Sequence, residues 1–157
     1  MLRFIVPEDT PTLLALAQET GFFKPIEIKA LREVLDDYHA VNRAAGHRCI
    51  TLEREGVVLG FAYYVPTAMT DRSWSLWWIV VRKTSQASGL GSELLRRVEG
   101  DAASAGGRVL FVETSSLPLY EPTRLFYLKR GYEVAAVVGD YYADGDDLVY
   151  FRKRLSG

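Results

Sequence analysis

A polar turn with two glycines, in the second half of the chain, contains residues that could bind an anion. The turn is Gln86-Ala87-Ser88-Gly89-Leu90-Gly91-Ser92, and it lies between the apolar run Ser73–Val81 and an amphipathic stretch that begins at Gly89. A strand that enters a helix through such a turn presents backbone N–H groups at the positive end of the helix dipole. Glycines also let the backbone approach a bound anion closely. The spacing therefore predicts a loop that binds a pyrophosphate.

Two familiar phosphate-binding motifs do not fit this turn. A Walker loop needs a lysine followed by serine or threonine after its last glycine, whereas Ser92-Glu93 follows Gly91. A dinucleotide-binding fingerprint needs glycine or alanine three residues after Gly91, and that residue is Leu94. The turn is therefore not typical of a site for a nucleoside triphosphate or a nicotinamide cofactor.

The elements that must position the turn follow from the hydrophobic periodicity of the chain. We expect strands at about residues 2–6, 49–53, 57–65, 73–81, 108–114, 132–142 and 148–155. We expect helices at about residues 10–20, 26–38, 89–105 and 122–130. This order predicts an α/β fold of the α+β type, in which a mixed sheet carries helices on its faces.

The size and composition indicate one globular domain over residues 1–157, because 48% of the residues are apolar and 25% are charged. The net charge is −1 and no basic block occurs, so we expect no nucleic-acid partner. No apolar run reaches the roughly 18 residues of a membrane span, and we expect no membrane partner. The lone cysteine, Cys49, indicates a buried structural thiol and a reducing, cytoplasmic location.

Two segments together resemble the GNAT acetyltransferase superfamily. Gln86-x-x-Gly89-x-Gly91, placed between an apolar strand and a helix, is similar to the acyl-CoA loop of that family. The segment Leu125–Tyr132 is similar to its later helix, where a tyrosine lies four residues before a glycine-aromatic pair. The order of elements matches over nearly the whole chain. The resemblance implies a single-domain acyltransferase fold, mostly antiparallel, with a splay between two central parallel strands and helices on both faces.

The resemblance also implies how acetyl-CoA is held as a cosubstrate, without a metal. Backbone groups of the strand would pair with the pantetheine arm, and N–H groups of the turn would hold the pyrophosphate. The residues concerned are Ile79, Val80, Val81, Gln86, Ala87, Ser88, Gly89, Leu90, Gly91 and Ser92. Arg82, Lys83 and Arg96 or Arg97 could meet the remaining phosphate charge, although a role as solvated surface charges is the more common one.

Tyr127 matches the position at which the family has the acid that protonates the departing thiolate. The alternative is that Tyr127 is only an aromatic residue of the core. Two positions depart from the family pattern. Ser75 stands where some members have a glutamate base, and Tyr120 stands where many have an asparagine. The base is therefore unassigned by the resemblance. Glu113, near the end of its strand and beside the expected splay, is the leading candidate, and burial against Trp77 or Trp78 would suit it to that role. A surface or hydrogen-bonded structural carboxylate is the equally weighted alternative.

Other features favour structural roles. The three tryptophans, Trp74, Trp77 and Trp78, are typical of core and pocket wall, and His39 and His47 lack the spacing of metal ligands. The turn between the last two strands is rich in acids and tyrosines: Asp140, Tyr141, Tyr142, Asp144, Asp146 and Asp147. A solvated turn is the simple interpretation, and an acidic rim that attracts a cationic amine is the functional one.

The sequence therefore predicts an N-acetyltransferase that transfers acetyl from acetyl-CoA directly to an amine. A small amine or amino-acid-like metabolite is the expected acceptor. A protein lysine or N-terminus is the first alternative, and a non-catalytic acyl-CoA sensor is the second. We also expect that a homodimer is possible.

Overall fold

The computed structural model describes residues 1–86 and 88–155. Its strands are β1 (Leu2–Phe4), β2 (Arg48–Arg54), β3 (Val57–Pro66), β4 (Ser73–Val81), β5 (Val109–Ser115), β6 (Glu133–Ala143) and β7 (Asp146–Arg154). Its α-helices are α1 (Thr10–Thr20), α2 (Pro25–Asp37), α3 (Leu90–Ser104) and α4 (Glu121–Lys129). Short 3-10 segments lie at Pro7–Asp9, Lys83–Ser85 and Pro118–Tyr120. The predicted order of strands and helices is confirmed.

The seven strands form one sheet in the order β1-β2-β3-β4-β5-β7-β6. Antiparallel pairing joins β1 to β2, β2 to β3, β5 to β7 and β6 to β7. Parallel pairing joins Ser73–Leu76 of β4 to Val109–Val112 of β5. Both strands continue past this ladder, β4 to Val81 and β5 to Ser115. The predicted fold class, a mixed and mostly antiparallel sheet with a central parallel pair, is confirmed.

The chain separates into two compact units, and the first comprises residues Met1–Val65 and Trp78–Glu99. Its core brings the apolar faces of α1 and α2 together with Phe61, Tyr63 and Val65 of β3. Alternation along the strand directs Gly60 to the opposite face, where the Leu94 side chain of α3 lies beside it. Helices therefore cover both faces of β3.

The second unit comprises Pro66–Trp77 and Gly100–Gly157, and its core is built around β5 and β7. Leu110, Val112 and Phe151 are buried there, as is Tyr127 of α4. Gly107 allows a close approach, because a Cβ atom at this position would lie 2.7 Å from the Ala102 carbonyl oxygen and from Trp74 Cδ1. The expectation that residues 1–157 form a single domain stays a prediction.

The first two helices differ in detail from the sequence pattern. The helix expected to end at Tyr38 ends at Asp37 and continues as a π-helical turn, Tyr38–Asn42. Asp9 precedes α1, but its carboxylate makes no capping hydrogen bond to that helix. Instead it accepts hydrogen bonds from the Val6 N–H (2.8 Å) and from the Arg3 guanidinium (2.8 and 2.9 Å). Asp9 therefore fixes the chain segment before α1.

Candidate functional site

The turn between β4 and α3 has the geometry of an anion-binding loop. Gly89 has a φ of +80°, and a Cβ atom placed there would have no neighbour within 4 Å among the atoms of the described chain. This positive φ is what favours glycine at the position, since the surrounding space does not require it. Leu90 opens α3, and the first amides of a helix have no partner within the helix. The loop is thus open to solvent at a helix N-terminus.

Hydrogen bonds within the turn hold its backbone in place. The Ser85 N–H donates to the Arg82 carbonyl oxygen (2.8 Å), and the Ser88 N–H donates to the Ser85 carbonyl oxygen (3.2 Å). The side-chain amide of Gln86 donates to the Val81 carbonyl oxygen at 3.3 Å. Gln86 therefore ties the turn back to the end of β4. Ala87 lies outside the described residues.

Gly60 is a residue of this site that sequence reasoning missed. A Cβ atom at Gly60 would lie 2.8 Å from the Val80 carbonyl oxygen and 3.0 Å from Leu94 Cδ1. Only glycine therefore lets the end of β4 lie so close to β3. A glycine inside the apolar run Val57–Val65 was the available signal, because such glycines often mark a close backbone approach.

The basic residues near the turn have different roles. Arg82 is held by the protein itself: its guanidinium donates to the Glu19 carboxylate (3.1 Å) and to the Val58 carbonyl oxygen (3.0 Å). The Arg97 guanidinium lies 5.9 Å from the centre of the Phe4 ring. Lys83 and Arg96 are exposed. Of these four residues, Lys83 and Arg96 have the exposure that a role as mobile phosphate-binding cations requires.

Tyr127, the predicted proton donor, lies on α4 and is only 2% exposed. Its ring contacts Phe126, Tyr132 and Phe151, with centroid distances of 5.3, 5.4 and 5.7 Å. Burial raises the pKa of the Tyr127 phenol above its ordinary value. The phenol is therefore protonated at neutral pH, which is the state that a proton donor requires.

The turn after α4 explains the spacing of tyrosine, glycine and tyrosine. The Tyr127 carbonyl oxygen accepts hydrogen bonds from the Arg130 N–H (3.0 Å) and from the Tyr132 N–H (3.1 Å). Gly131 between them has a φ of +90°, which glycine adopts at no steric cost. The turn thereby folds the Tyr132 ring back against Tyr127.

Glu113, the predicted base, is exposed, so its expected burial against Trp77 or Trp78 is wrong. The reason is strand alternation: Val112 and Thr114 occupy the buried face of β5, and Glu113 points to the other face. Glu113 lies directly opposite Tyr150 of β7. The pKa values of Tyr142 and Tyr150 are both raised. Burial is the main cause, and the negative charge of Glu113 is the second. Glu113 thus belongs to an acidic and aromatic surface.

Acids at the adjoining ends of β6 and β7 also organise the start of the loop after β5. The Asp147 carboxylate accepts a hydrogen bond from the Asp140 N–H (2.8 Å), and the Asp147 N–H donates to Ser116 Oγ (2.8 Å). The hydroxyl of Ser115 donates to Asp146. Asp144 is exposed. The turn is therefore partly a hydrogen-bonded structure and not only a solvated loop.

Arg124 also fixes the start of this loop, and no sequence signal identified it. Its guanidinium donates to the carbonyl oxygens of Ser115 (2.7 Å) and Leu117 (2.9 Å). The residue lies one turn before Tyr127 on α4. Arg124 thereby connects the helix that carries Tyr127 to the end of β5.

The other residues that the sequence singled out are held by hydrogen bonds or by burial in the protein, with the exception of Trp77. The Ser75 hydroxyl lies 2.7 Å from Thr67 Oγ1, and His47 Nδ1 lies 2.7 Å from the Tyr63 hydroxyl. Cys49 is completely buried, which raises the pKa of its thiol. Trp74 is buried and Trp78 is partly buried, whereas Trp77 is 46% exposed and is not a core residue.

The described residues, 1–86 and 88–155, contain no group of three or more His, Cys, Asp or Glu residues that could hold a metal ion. None of their helices combines the length and the apolar character needed to cross a membrane.

Comparison with known proteins gives the family of the chain. The profile of the acetyltransferase (GNAT) family matches residues 12–132. A solved structure of a GNAT-family protein from Desulfovibrio desulfuricans is 34% identical, covers 99% of both chains and superimposes with a TM-score of 0.95. No curated protein sequence matches significantly. The chain therefore belongs to the GNAT acetyltransferase family and is an N-acetyltransferase.

Two further solved structures share the fold at lower identity. An aminoglycoside 6'-N-acetyltransferase complexed with coenzyme A is 16% identical, with 100% of this chain and 98% of that chain covered and a TM-score of 0.79. The ribosomal-protein-S18-alanine N-acetyltransferase from Escherichia coli is 19% identical, with 100% and 94% covered and a TM-score of 0.81. One is named for a small-molecule acceptor and the other for a protein acceptor, so the shared fold does not select between them.

Proposed function

We propose that this protein transfers an acetyl group from acetyl-CoA directly to the amine of a small, cationic or amino-acid-like metabolite. The observation that carries the proposal is the loop between β4 and α3, where Gly89 has a φ of +80° at the N-terminus of a 15-residue helix. Backbone amides at the positive end of a helix dipole are suited to the pyrophosphate of coenzyme A.

Acetyl-CoA fits the residues around this loop. The loop residues Gln86, Ser88, Gly89, Leu90, Gly91 and Ser92 are proposed to surround the pyrophosphate, with Ala87 between them in the sequence. Backbone groups of Ile79, Val80 and Val81, at the end of β4, are proposed to pair with the pantetheine arm as an added strand does. A backbone N–H on this strand would also stabilise the oxyanion that develops during transfer.

Tyr127 is the proposed proton donor to the coenzyme A thiolate. Its raised pKa keeps the phenol protonated at neutral pH, and a thiolate with a pKa near 8.5, by analogy with cysteine, leaves more readily when a proton is supplied. The acceptor amine must attack in its neutral form, although an ordinary alkylamine has a pKa of about 10.4. Glu113 is the proposed base, and its exposure lets it exchange protons with solvent.

The acidic and aromatic surface around Glu113 supports a cationic acceptor. Tyr142 and Tyr150 lie within the field of the Glu113 carboxylate, and Asp144 is exposed on the turn that follows Tyr142. Carboxylates attract a protonated amine, and tyrosine faces stabilise cations. A protein lysine or N-terminus carries the same charge and is the alternative acceptor.

The function is tested by following the release of the coenzyme A thiol from acetyl-CoA with a panel of amines. The panel should contain diamines, aminoglycosides, amino acids and lysine-containing peptides, together with neutral hydroxyl analogues of the same shapes. We expect turnover with one class of cationic small molecule and none with the hydroxyl analogues. Turnover with peptides alone would assign a protein acceptor. An absence of turnover with every amine of the panel would contradict the proposal.

A further inference from the structure

Arg82 lies where β4 ends and the loop before α3 begins, and it is tied to two other elements. Its backbone N–H donates to the Leu59 carbonyl oxygen of β3 (2.7 Å). Its guanidinium donates to the Val58 carbonyl oxygen of the same strand (3.0 Å) and to the Glu19 carboxylate of α1 (3.1 Å). Contacts with both β3 and α1 therefore hold the residue from which the loop starts.

The supports of Arg82 both belong to the packed core of the first unit. Helix α1 contributes Leu13 and Leu16 to that core, and β3 contributes Phe61. A guanidinium presents its donors in a planar fork, so that two acceptors on different elements restrict its position. The Arg82 Nε atom is buried, and the side chain as a whole is only 28% exposed. Arg82 is thus packed against the protein and does not extend into solvent.

The helix that carries Glu19 gives no reason for an acid at this position, whereas Arg82 does. Glu19 lies in the last turn of α1, which ends at Thr20 and contains no basic residue in that turn. The C-terminal end of a helix dipole is negative, so a carboxylate there is unfavourable. The contact with the Arg82 guanidinium offsets this repulsion.

Short hydrogen-bonded turns connect Arg82 to the amides of the loop. The Ser85 N–H donates to the Arg82 carbonyl oxygen (2.8 Å), and the Ser88 N–H donates to the Ser85 carbonyl oxygen (3.2 Å). Gly89, with its φ of +80°, follows directly and precedes α3. A displacement of the Arg82 backbone would therefore move the turns that lead to the helix N-terminus.

We propose that Arg82 is a positioning residue for acetyl-CoA and does not itself contact the phosphates. Its hydrogen bonds to Glu19 and Val58 hold the loop in its binding arrangement before the cosubstrate arrives. The proposal rests on the coenzyme A site proposed for this loop. A preorganised loop raises affinity because less conformational freedom is lost on binding.

Two variants separate positioning from simple attraction, because both keep a positive charge beside the loop. Arg82→Lys replaces the planar fork by a single ammonium, and Glu19→Gln removes the neighbouring negative charge. Attraction between charges alone predicts acetyl-CoA binding that is unchanged or tighter. We expect instead that calorimetric titration gives a Kd higher by roughly 5- to 50-fold in each variant, as is typical of coupling between sites. The KM for acetyl-CoA should rise, and kcat at saturating acetyl-CoA should not change.

A second measurement uses the ligand-free protein and so does not depend on the proposed function. Hydrogen exchange at the Ser85 and Ser88 amides, followed by NMR, should be faster in Arg82→Lys and in Glu19→Gln than in the wild type. Glu133→Gln is the matched control, since it breaks an ion pair of the same kind, Glu133–Arg152 (2.6 Å), in the second unit. This control should leave both exchange rates and the Kd for acetyl-CoA unchanged.

Three outcomes would overturn the proposal. If Glu19→Gln binds acetyl-CoA as tightly as the wild type or more tightly, Arg82 acts through its charge. If binding weakens while exchange at Ser85 and Ser88 stays the same, the loop is not held by this ion pair. If exchange becomes faster but the wild type binds no acetyl-CoA, the proposed coenzyme A site is wrong and Arg82 only stabilises the loop. Circular dichroism spectra equal to that of the wild type establish that each variant is folded.

Discussion

The Tyr127 and Phe151 rings lie with their centroids 5.7 Å apart and their planes inclined by 34°. Tyr132 contacts the same Tyr127 ring edge-on at 5.4 Å, and Phe126 contacts it at 5.3 Å. The ring is therefore held by three aromatic neighbours, two of which lie outside the helix that carries it. Because these contacts involve the ring, the position of Tyr127 does not depend on its hydroxyl group.

Tyr127→Phe should therefore separate catalysis from packing. We expect a turnover number lower by roughly 10²–10⁴, as for the loss of a general acid, with little change in acetyl-CoA affinity. Steady-state kinetics with the acceptor found in the amine panel, and calorimetric titration with acetyl-CoA, measure the two quantities. Tyr132→Phe is the control, since Tyr132 is also a buried tyrosine of this aromatic group. A turnover near that of the wild type in Tyr127→Phe would make Tyr127 a core aromatic only.

Gly89→Val should abolish acetyl-CoA binding while the protein stays folded. A β-branched residue does not tolerate a φ of +80°, so the loop must change its backbone and lose the arrangement of its amides. Acetyl-CoA at 100 times its dissociation constant should stabilise the wild type by about 2.7 kcal/mol, observed as a higher melting temperature, and should not stabilise the variant.

Gly56→Val is the matched control for the glycine experiment. Gly56 has a φ of +76° and equally open surroundings, but it lies in the β2–β3 hairpin. The Gly56→Val variant should have a lower melting temperature, because the backbone is strained, and acetyl-CoA should still stabilise it. If acetyl-CoA, other acyl-CoAs and free coenzyme A all fail to stabilise the wild-type protein, the loop is not a coenzyme A site.

The fold was predictable because its strands and helices follow clear periodicities. Strand β4 begins and ends where the pattern predicts, at Ser73 and Val81, and α1 ends at Thr20 before Gly21, whose φ is +76°. The π-helical turn Tyr38–Asn42 was not predictable, because a segment of five residues is too short for apolar spacing to distinguish i→i+5 from i→i+4 hydrogen bonding.

Less of the candidate site could be derived from the sequence. The spacing of the glycines predicts the anion-binding loop, whereas the role proposed for Tyr127 comes from the resemblance of Leu125–Tyr132 to the GNAT family. The burial of Glu113 was predicted wrongly, because alternation along β5 depends on which face the helices cover. The link from Arg124 to the Ser115 carbonyl oxygen depends on the path of a loop, and residue types alone do not specify that path.

Asp9→Asn should destabilise the protein at neutral pH by about 1.5–3 kcal/mol, as for a hydrogen bond to a charged group. The hydrogen bond from Arg3 is the main reason that the pKa of Asp9 lies below its ordinary value. A lowered pKa in the folded state adds stability above the ordinary pKa of about 3.9, and this stability is lost as the pH falls through the folded value.

The difference in unfolding free energy between wild type and Asp9→Asn should therefore be largest near pH 7 and should shrink below about pH 4. Urea unfolding at a series of pH values measures it. Asp36→Asn is the control, because Asp36 is exposed on α2 and surface substitutions typically change stability by less than about 0.5 kcal/mol. A difference that does not depend on pH would show that the Arg3–Asp9 pair contributes no charge-dependent stability.

The last prediction concerns the base. With Ser75 in the usual glutamate position, the acceptor amine must lose its proton to another carboxylate, through water, or before it binds. Glu113 is exposed and lies directly opposite Tyr150, so a cationic amine can approach its carboxylate. If Glu113 is the base, Glu113→Gln should reduce turnover by about 10²-fold or more and remove the acidic limb of the pH–rate profile.

The alternatives to Glu113 as base predict different pH profiles. An amine that loses its proton through water keeps the acidic limb in Glu113→Gln, because the limb then belongs to the substrate. If Glu113 only attracts the cationic acceptor, Glu113→Gln should raise KM and leave kcat and its pH dependence unchanged. Glu121→Gln removes the same charge from an exposed residue at the start of α4 and should leave both limbs intact. An unchanged acidic limb in Glu113→Gln would therefore remove Glu113 from the chemical step, and a higher KM would keep it in acceptor binding.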